Sequence, residues 1–389
     1  MARQDDSREV RLLGTRLMKP IAPLLARLHA AHTGRDRAGN RQLFFDQYAS
    51  LLLVYFFTPA LESLRALQHA TNWKQTERKL GLGRTSLASL SEASRVFDAE
   101  LLREVVQELA RQALPLSRGQ EAEALKGLTA VDGSLFRGVS QMAWALWQDE
   151  EHRALKLHLH LDVFKNVPVD ATVSPGKGSE PARLAETLQP DRLYVIDGGY
   201  FQYELLARIL AANSSFVARV QPQIAHEVQE IRELTPAARE AGVTRDVVLS
   251  SVGGKHRVQI LRSPVRLIVV DTVDRQGHPL QLFLLTNRLD LPAELVALAY
   301  RHRWSIELFF RWMKSVLKAR HLIARSANGV ALQMYAALIV SLLLVLYTGR
   351  KPNRRLFETL QFYLLGWVSD DELDAALARL PQREPETNS

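Results

Sequence analysis

A segment that follows Pro292 carries polar residues at the spacing of one helical face. Five of them are separated by three or four residues, namely Tyr300, Arg303, Glu307, Arg311 and Lys314. At about 100° per residue this spacing predicts a single polar stripe on one helix. Taken alone, the stripe is typical of a solvent-exposed face with weak Arg–Glu pairs, each worth only tenths of a kcal/mol. Its chemistry therefore depends on which other charged groups lie near it.

Two aspartates follow short apolar runs that predict buried strands. Asp132 stands in TAVDGS and Asp197 in YVIDGGY, so each is followed by glycine. A carboxylate where a strand ends can point into accessible space, and the glycine lets the backbone turn and leaves room for a ligand. Because Asp-Gly is also a common turn signal, either aspartate taken singly is better interpreted as part of a turn.

Taken together, Asp132, Asp197 and Glu307 indicate a site for two divalent cations. The chain has no cysteine, and carboxylate oxygens favour Mg²⁺ or Mn²⁺ over Zn²⁺. Two such ions about 3.5–4 Å apart can activate a water or hydroxyl and stabilise the leaving oxygen in phosphoryl transfer. On the same stripe, Tyr300 and three cationic residues could then contact phosphates: Arg303, Arg311 and Lys314.

These motifs resemble the DDE transposases of bacterial insertion sequences, in particular the insertion-sequence-four type. The signature Tyr-x2-Arg-x3-Glu-x6-Lys of that family is met by Tyr300, Arg303, Glu307 and Lys314. The Asp-Gly-Ser context of Asp132 and the Asp-Gly-Gly-Tyr context of Asp197 also match. The resemblance extends over about residues 45 to 345.

The resemblance implies a transposase that binds terminal inverted repeats and pairs them in a homodimeric or higher synaptic complex. Such an enzyme cuts double-stranded DNA with water and joins the 3′-hydroxyl ends to target DNA. By this resemblance Asp132, Asp197 and Glu307 hold Mg²⁺, for which Mn²⁺ can substitute. Tyr300, Arg303 and Lys314 contact phosphates, and Trp304 either stacks on an unpaired base or packs in the core. Relatives that form DNA hairpins use a Trp in the β-rich insertion, whereas this chain has none between Trp147 and Trp304.

The elements that must position these residues follow from hydrophobic periodicity. Helical patterns fill the first 120 residues, and from Leu128 the order of three strands, helix, strand, helix, strand predicts an α/β, ribonuclease-H-like core. Beyond Val220 four strand candidates predict an inserted antiparallel β subdomain: VTRDVVLSSV, HRVQILR, VRLIVVDTV and LQLFLLTN. One long helix is then expected to carry the polar stripe.

This pattern divides the chain into five predicted parts. They are an all-helical DNA-binding region at 1–124, the first part of the core at 125–220, the β-rich insertion at 221–289, the second part of the core at 290–348, and a helical region with a polar tail at 349–389. Between Lys74 and Arg95 the first part is compatible with a helix-turn-helix, although a plain helical bundle fits as well.

Composition narrows the choice of partner and compartment. The 389 residues carry a net charge of +8, which favours a polyanion such as nucleic acid or an anionic membrane surface. The N-terminus has no secretory signal pattern, so we expect a cytoplasmic protein associated with the nucleoid. The apolar stretch Val330 to Tyr347 is better explained by a buried core helix than by a membrane span.

Three alternatives stay open at this stage. A nuclease or resolvase on the same fold would cut DNA without joining it, and a catalytically silent DNA-binding protein would keep the carboxylates as structural residues. A membrane-attached protein would use the stretch from Val330 to Tyr347. His158 and His160 alternate along a predicted strand and are expected to be surface residues rather than metal ligands.

Overall fold

A computed structural model describes residues 17–31, 41–145, 147, 152–224, 226–253, 261, 264–274 and 276–379, and these form a mixed α/β protein. Three sequence predictions lie outside the described residues: the opening up to residue 16, most of the strand candidate HRVQILR, and the polar tail from 381 to 389. The chain divides into two units, which are described separately.

The first unit comprises Met1–Leu114, Arg137–Ala154 and Trp312–Arg383, and its described elements are helical. The helices are α1 (Ala22–His29), α2 (Phe45–Phe57), α3 (Leu64–Ala70), α4 (Lys74–Leu80), α5 (Leu87–Val96), α6 (Ala99–Gln112), α13 (Ala327–Thr348), α14 (Arg354–Leu364) and α15 (Asp370–Arg379), with a 3-10 turn at Ala143–Ala145.

Helix α13 forms the centre of this unit. Its 22 residues are long and apolar enough to cross a membrane, but 89% of its most apolar stretch is buried inside the structure. It packs against α2, α5 and α6, and a helix that is apolar all round is expected in the core of a large unit. The burial of α13 agrees with the core-helix interpretation.

The helix-turn-helix candidate corresponds to α4 and α5. Helix α4 ends at Gly81, whose φ of 65° is the left-handed conformation that favours glycine at a helix C-terminus. Ser86 begins α5 by accepting a hydrogen bond from the Ser89 backbone N–H. The predicted helical pair is therefore present, and its role in reading DNA stays a prediction.

The described residues of the second unit lie in Pro115–Phe136 and Leu155–Arg311. Its strands form one nine-stranded sheet in the order β3-β2-β1-β4-β5-β9-β8-β7-β6. The strands are β1 (Leu128–Arg137), β2 (Ala154–Asp162), β3 (Val167–Pro175), β4 (Leu193–Ile196), β5 (Ser215–Val220), β6 (His226–Ile231), β7 (Val243–Val252), β8 (Val265–Val273) and β9 (Pro279–Thr286). The helices of this unit are α7 (Gln120–Ala124), α8 (Glu180–Glu186), α9 (Tyr203–Ala211), α10 (Pro236–Glu240) and α11 (Ala293–Arg301).

The sheet joins a parallel and an antiparallel part. Strand β4 lies between β1 and β5 and is parallel to both, whereas β2 and β3 are antiparallel. From β5 onward all pairs are antiparallel, through β9, β8 and β7 to β6. The β-rich segment after Val220 is antiparallel as predicted, and it continues the core sheet through the pairing of β5 with β9.

Two expectations about single elements are wrong. The helix expected to run unbroken after Pro292 is two helices, α11 and α12 (Trp304–Ser315). Between them the Arg303 and Ser305 backbone N–H groups each donate to the carbonyl three residues back, which tightens the backbone and interrupts the α-helix. The expectation of surface histidines is also wrong, because His158 and His160 on β2 are each 3% exposed.

Candidate active site

Asp132 and Asp197 lie at the same level on neighbouring parallel strands. Ala130 on β1 is paired with Val195 on β4, and each aspartate comes two residues later. Asp197 directly follows the end of β4, as predicted. Asp132 does not mark a strand end, because β1 continues to Arg137, but burial changes there from buried residues to half-buried ones. The sheet register thus brings both carboxylates to the carboxyl end of β4.

Each aspartate is fixed by the glycine that follows it. The Gly133 backbone N–H donates to Asp132 Oδ1 at 2.8 Å, and the Gly198 N–H donates to Asp197 Oδ1 at 2.7 Å. Asp197 thereby caps a 3-10 turn at Gly198–Tyr200. The turn interpretation of Asp-Gly is correct at Asp197 and wrong at Asp132, which is held within a strand.

Helices α11 and α12 bring the Tyr-Arg-Glu part of the signature to these carboxylates. Tyr300 Oη donates to Asp197 Oδ1 at 3.1 Å. Arg303 Nη2 donates to Glu307 Oε1 at 3.0 Å, and the Arg303 guanidinium lies 5.9 Å from the centre of the Tyr300 ring. On β5, Arg219 Nη1 is 3.8 Å from Asp197 Oδ1. Residues from three strands and two helices therefore meet at one place.

The Arg303 guanidinium is the positive charge that interacts with all three acidic residues. Burial opposes its positive charge, but Tyr300 and the nearby carboxylates outweigh burial and raise the pKa of Arg303. These carboxylates are Asp197, Glu307 and Asp132. The guanidinium thus stays charged and offsets the repulsion that three acidic residues would otherwise have.

Asp132 is the most perturbed carboxyl of the group. Burial raises its pKa to about 6, although the hydrogen bond from Gly133 and the charge of Arg303 act in the opposite direction. The negative charges of Glu180 and Glu307 raise it further. A desolvated carboxyl whose pKa is raised by burial and by like charges is a feature expected of a functional site.

Tyr300 is held as a hydrogen-bond donor. Burial and the charge of Asp197 raise its pKa to about 12, so its hydroxyl is protonated at neutral pH. A protonated phenol can donate either to Asp197, as it does in this structure, or to a phosphate oxygen.

The donor set suits a hard divalent cation. Asp132, Asp197 and Glu307 offer carboxylate oxygens alone, which is the ligand type that Mg²⁺ and Mn²⁺ prefer. Within the part of the chain that the structure describes, no three His, Asp or Glu side chains form a ready metal-binding group. The Arg303 guanidinium instead supplies the positive charge among these carboxylates.

The other predicted site residues lie along α12. Trp304 is half-buried at its first position, Arg311 is exposed one turn beyond Glu307, and Lys314 is half-buried in the last turn. Arg311 is the last residue of the second unit on this helix, and Lys314 belongs to the first unit. Their contacts with DNA stay predictions.

Four residues near the carboxylates were not identified from the sequence. They are Lys156, Glu180, Tyr200 and Arg219, each of which acts electrostatically on Asp132, Asp197 or a close neighbour. Arg219 is half-buried between the buried Ala218 and Val220 on β5, and a lone charge within this apolar run was the signal that could have indicated it. Glu180 belongs to no motif, and its place becomes evident only in the folded chain.

Comparison with known proteins identifies the family. The sequence matches the family described as Transposase DDE domain over residues 123–343, more than half of the chain. A Geobacillus stearothermophilus protein named as a transposase for insertion sequence element IS5377 is 24% identical over 294 residues, which cover 75% of this chain and 74% of that protein. The Sinorhizobium fredii protein y4zB, also named as a transposase, is 30% identical over 197 residues, or 49% of this chain and 53% of that protein.

The chain also aligns with one solved structure, a piggyBac transposase synaptic complex with hairpin DNA. The TM-score is 0.44 and the sequence identity is 12%, and the alignment covers 94% of this chain and 84% of that one. The family match and the two transposase relatives, one of them from a named insertion sequence, confirm the resemblance drawn from the Asp, Glu and Tyr-Arg-Glu-Lys motifs. The chain belongs to the DDE-domain transposase family and is a DNA transposase of a bacterial insertion sequence.

Proposed function

We propose that this transposase uses Asp132, Asp197 and Glu307 to hold two Mg²⁺ ions, with Mn²⁺ as a substitute, and that it cleaves and joins DNA there. The observation that carries the proposal is the arrangement around Arg303. Its pKa responds to all three carboxylates, which are distant in the sequence and lie on β1, after β4 and on α12.

When bound, Mg²⁺ activates the attacking water or 3′-hydroxyl and stabilises the leaving oxygen. Tyr300 orients Asp197 through its 3.1 Å hydrogen bond. Arg303 pairs with Glu307, and its remaining N–H groups would contact a phosphate. Arg311 and Lys314 extend the cationic face along the DNA backbone, and Trp304 stacks on an unpaired base.

The catalytic part is proposed to be a ribonuclease-H-like core. This is supported by the strand order β3-β2-β1-β4-β5, in which β1, β4 and β5 are parallel and β2 and β3 antiparallel. Residues 1–124 are proposed to bind the terminal inverted repeats and 221–289 to be the β-rich insertion. The second part of the core is proposed to be 290–348, and residues 349–389 to be the C-terminal helical region and the polar tail.

The partners follow from the chemistry of transposition. The substrates are the two ends of the element and the target, all double-stranded DNA, for which a net charge of +8 is favourable. Pairing two ends requires a homodimer or higher oligomer in the synaptic complex. The enzyme acts where its substrate lies, at the nucleoid in the cytoplasm.

The test is cleavage and strand transfer of a DNA fragment that carries the ends flanking the encoding gene. Wild type and Glu307→Gln are compared in Mg²⁺, in Mn²⁺ and in EDTA. Glu204→Gln is the matched control, because Glu204 lies on α9, is 58% exposed and is paired with Arg208. We expect metal-dependent joined products from wild type and Glu204→Gln, and none from Glu307→Gln.

Two other outcomes would contradict the proposal. Cleavage without joined products would indicate a nuclease or resolvase. End binding by every variant, with no cleavage in either metal, would indicate a DNA-binding protein whose carboxylates are structural.

A further inference from the structure

Glu180 lies against the backbone beside Asp132. It is the first residue of α8. A Cβ atom built on Gly133 would be 2.6 Å from Glu180 Oε1 and 3.0 Å from Lys156 Cδ. The Glu180 carboxylate thus occupies the space that a side chain at position 133 would fill. It is therefore an immediate neighbour of the strand segment that carries Asp132.

Lys156 neutralises Glu180 in this structure. Its Nζ is 2.9 Å from Glu180 Oε1, and the two side chains are 16% and 25% exposed. The same Nζ donates to the Gly178 carbonyl at 3.4 Å. The Lys156 ammonium thus orients the Glu180 carboxylate, and a divalent cation, which carries twice the charge, would compete with it.

Tyr200 adds an independent observation. It is 2% exposed, and its hydroxyl has no hydrogen-bond partner among the described residues. The 3-10 turn that carries Tyr200 packs against α8, whose first residue is Glu180. The charged groups that act on Tyr200 are Glu180, Asp132 and Arg303. A buried unpaired hydroxyl destabilises the fold, and a water shared with Glu180 and Asp132 would satisfy it.

We propose that Glu180 is a fourth acidic residue of the cation site and contacts, through water, the divalent cation that Asp132 binds. The Tyr200 hydroxyl donates to the same water layer. Mg²⁺ retains several of its waters in proteins. A carboxylate and a hydroxyl beside a ligating aspartate can therefore form hydrogen bonds with the waters bound to the ion. This inference rests on the proposed function, which assigns Asp132 as a ligand.

The test is Mn²⁺ binding to the full-length protein without DNA, measured by titration calorimetry. Glu180→Gln is expected to weaken Mn²⁺ binding by about tenfold, the loss typical of groups that orient a metal site. Glu186→Gln is the matched control on the same helix, since Glu186 is 59% exposed and paired with Arg183. It is expected to bind Mn²⁺ like wild type.

Two variants separate cation binding from folding. Lys156→Met removes the competing ammonium and is expected to strengthen Mn²⁺ binding. Tyr200→Phe is expected to keep or raise the Tm without cation, because it removes an unpaired hydroxyl, and to show a smaller Tm rise when Mn²⁺ is added. Should Glu180→Gln fail to fold, Glu180→Asp keeps the charge on a shorter side chain. Weakened Mn²⁺ binding at an unchanged Tm then supports the inference, and wild-type binding contradicts it.

The outcomes distinguish this inference from the proposed function. If Glu180→Gln binds Mn²⁺ like wild type while Asp132→Asn and Glu307→Gln lose binding, the role of Glu180 is wrong and the three-carboxylate site stands. If all three variants bind Mn²⁺ like wild type, both the proposed cation site and the inference built on it are wrong.

Discussion

At the scale of single residues, Arg303 explains how three carboxylates can lie together in a folded chain. Like charges in a partly buried site raise one another's pKa and destabilise the fold. Arg303 donates to Glu307 and responds to Asp132 and Asp197, so one cation offsets several repulsions. The Arg303 charge thus reduces the repulsion among the proposed ligands in the folded chain, and the remaining penalty of burying a charge is greatest for Asp132.

We predict that Asp132→Asn stabilises the protein at neutral pH. The folded-state pKa of about 6 lies above the ordinary value of 3.8, so the folded state binds the proton more tightly than the unfolded one. Stability is consequently lost as pH rises from about 4 to 6. In EDTA, Asp132→Asn should raise the free energy of unfolding at pH 7.5 by about 1–2 kcal/mol and have little effect at pH 4. Urea denaturation at both pH values measures this, and an equal gain at both would contradict it.

The buried His158 should make stability depend on pH in the opposite direction, with a loss of stability on acidification. Burial, followed by the charges of Lys156, Arg183 and His160, lowers its pKa from 6.5 to about 4. The unfolded state binds more protons between these values, so stability is complete above pH 6.5 and is lost on acidification. His158→Gln can keep a hydrogen bond to Ser174 Oγ, which lies 2.8 Å from Nε2. The loss of unfolding free energy between pH 7 and 5 should then shrink by about 2 kcal/mol, and an unchanged pH profile in urea would refute this.

At the scale of elements, the antiparallel strands hold the connection that leads into α11. Arg232, which follows β6, donates to the Leu289 carbonyl at 2.7 Å. Arg266 on β8 donates to the Leu291 carbonyl and, through Nε, to Asp246 Oδ1 at 2.6 Å. Because Tyr300 lies on α11, the β-rich segment helps to fix the direction from which the signature residues reach the carboxylates.

Arg266→Met is predicted to destabilise the second unit by about 3–5 kcal/mol. Arg266 and Asp246 are 3% and 4% exposed, so removing one partner leaves a buried charge uncompensated. The double variant Arg266→Met with Asp246→Leu should recover most of the loss, since it removes both charges. Urea denaturation of the two variants is the measurement. Equal losses in both would show that the carbonyl contact, not the ion pair, dominates.

Gln333→Leu tests the assignment of α13 as a core helix. The Gln333 side chain is fully buried, accepts from the Ile323 N–H at 2.9 Å and donates to the His321 carbonyl at 2.6 Å. Leucine would leave the Ile323 N–H unpaired, whereas the His321 carbonyl would still accept from the Tyr55 hydroxyl at 3.0 Å. We therefore expect a loss of about 1–3 kcal/mol despite the gain in hydrophobicity. Thermal unfolding measures it. A membrane span predicts the reverse, namely more protein in the membrane fraction, because leucine favours insertion.

At the scale of the whole molecule, the net charge of +8 favours the proposed binding of DNA. Release of counterions makes the binding of a basic protein to DNA fall steeply with salt. Between 50 and 200 mM NaCl the affinity for a random duplex should fall by at least about tenfold, as measured by fluorescence anisotropy. Arg311→Gln should lower the slope of log affinity against log salt by about one, because Arg311 is exposed and proposed to contact phosphate. A salt-independent affinity would argue against DNA as the partner.

The sequence by itself determined the family signature and many of the elements. Tyr300, Arg303, Glu307 and Lys314 meet fixed spacings, and apolar runs bounded by turn residues gave β4, β5, β7 and β8 their limits. These features depend on residues that are close together in the sequence, so motif spacing and hydrophobic periodicity are sufficient to predict them. Strand β6 was missed because it is an exposed edge strand with no apolar face to produce a pattern.

Only the tertiary structure decided which residues share a site. The parallel register of β1 and β4 sets Asp132 level with Asp197, and the break between α11 and α12 directs Tyr300 and Glu307 to them. The burial of His158 and the contact of Glu180 with Gly133 also join segments that are far apart in the chain. Such contacts depend on strand pairing and packing between distant residues, which no local pattern in the sequence encodes.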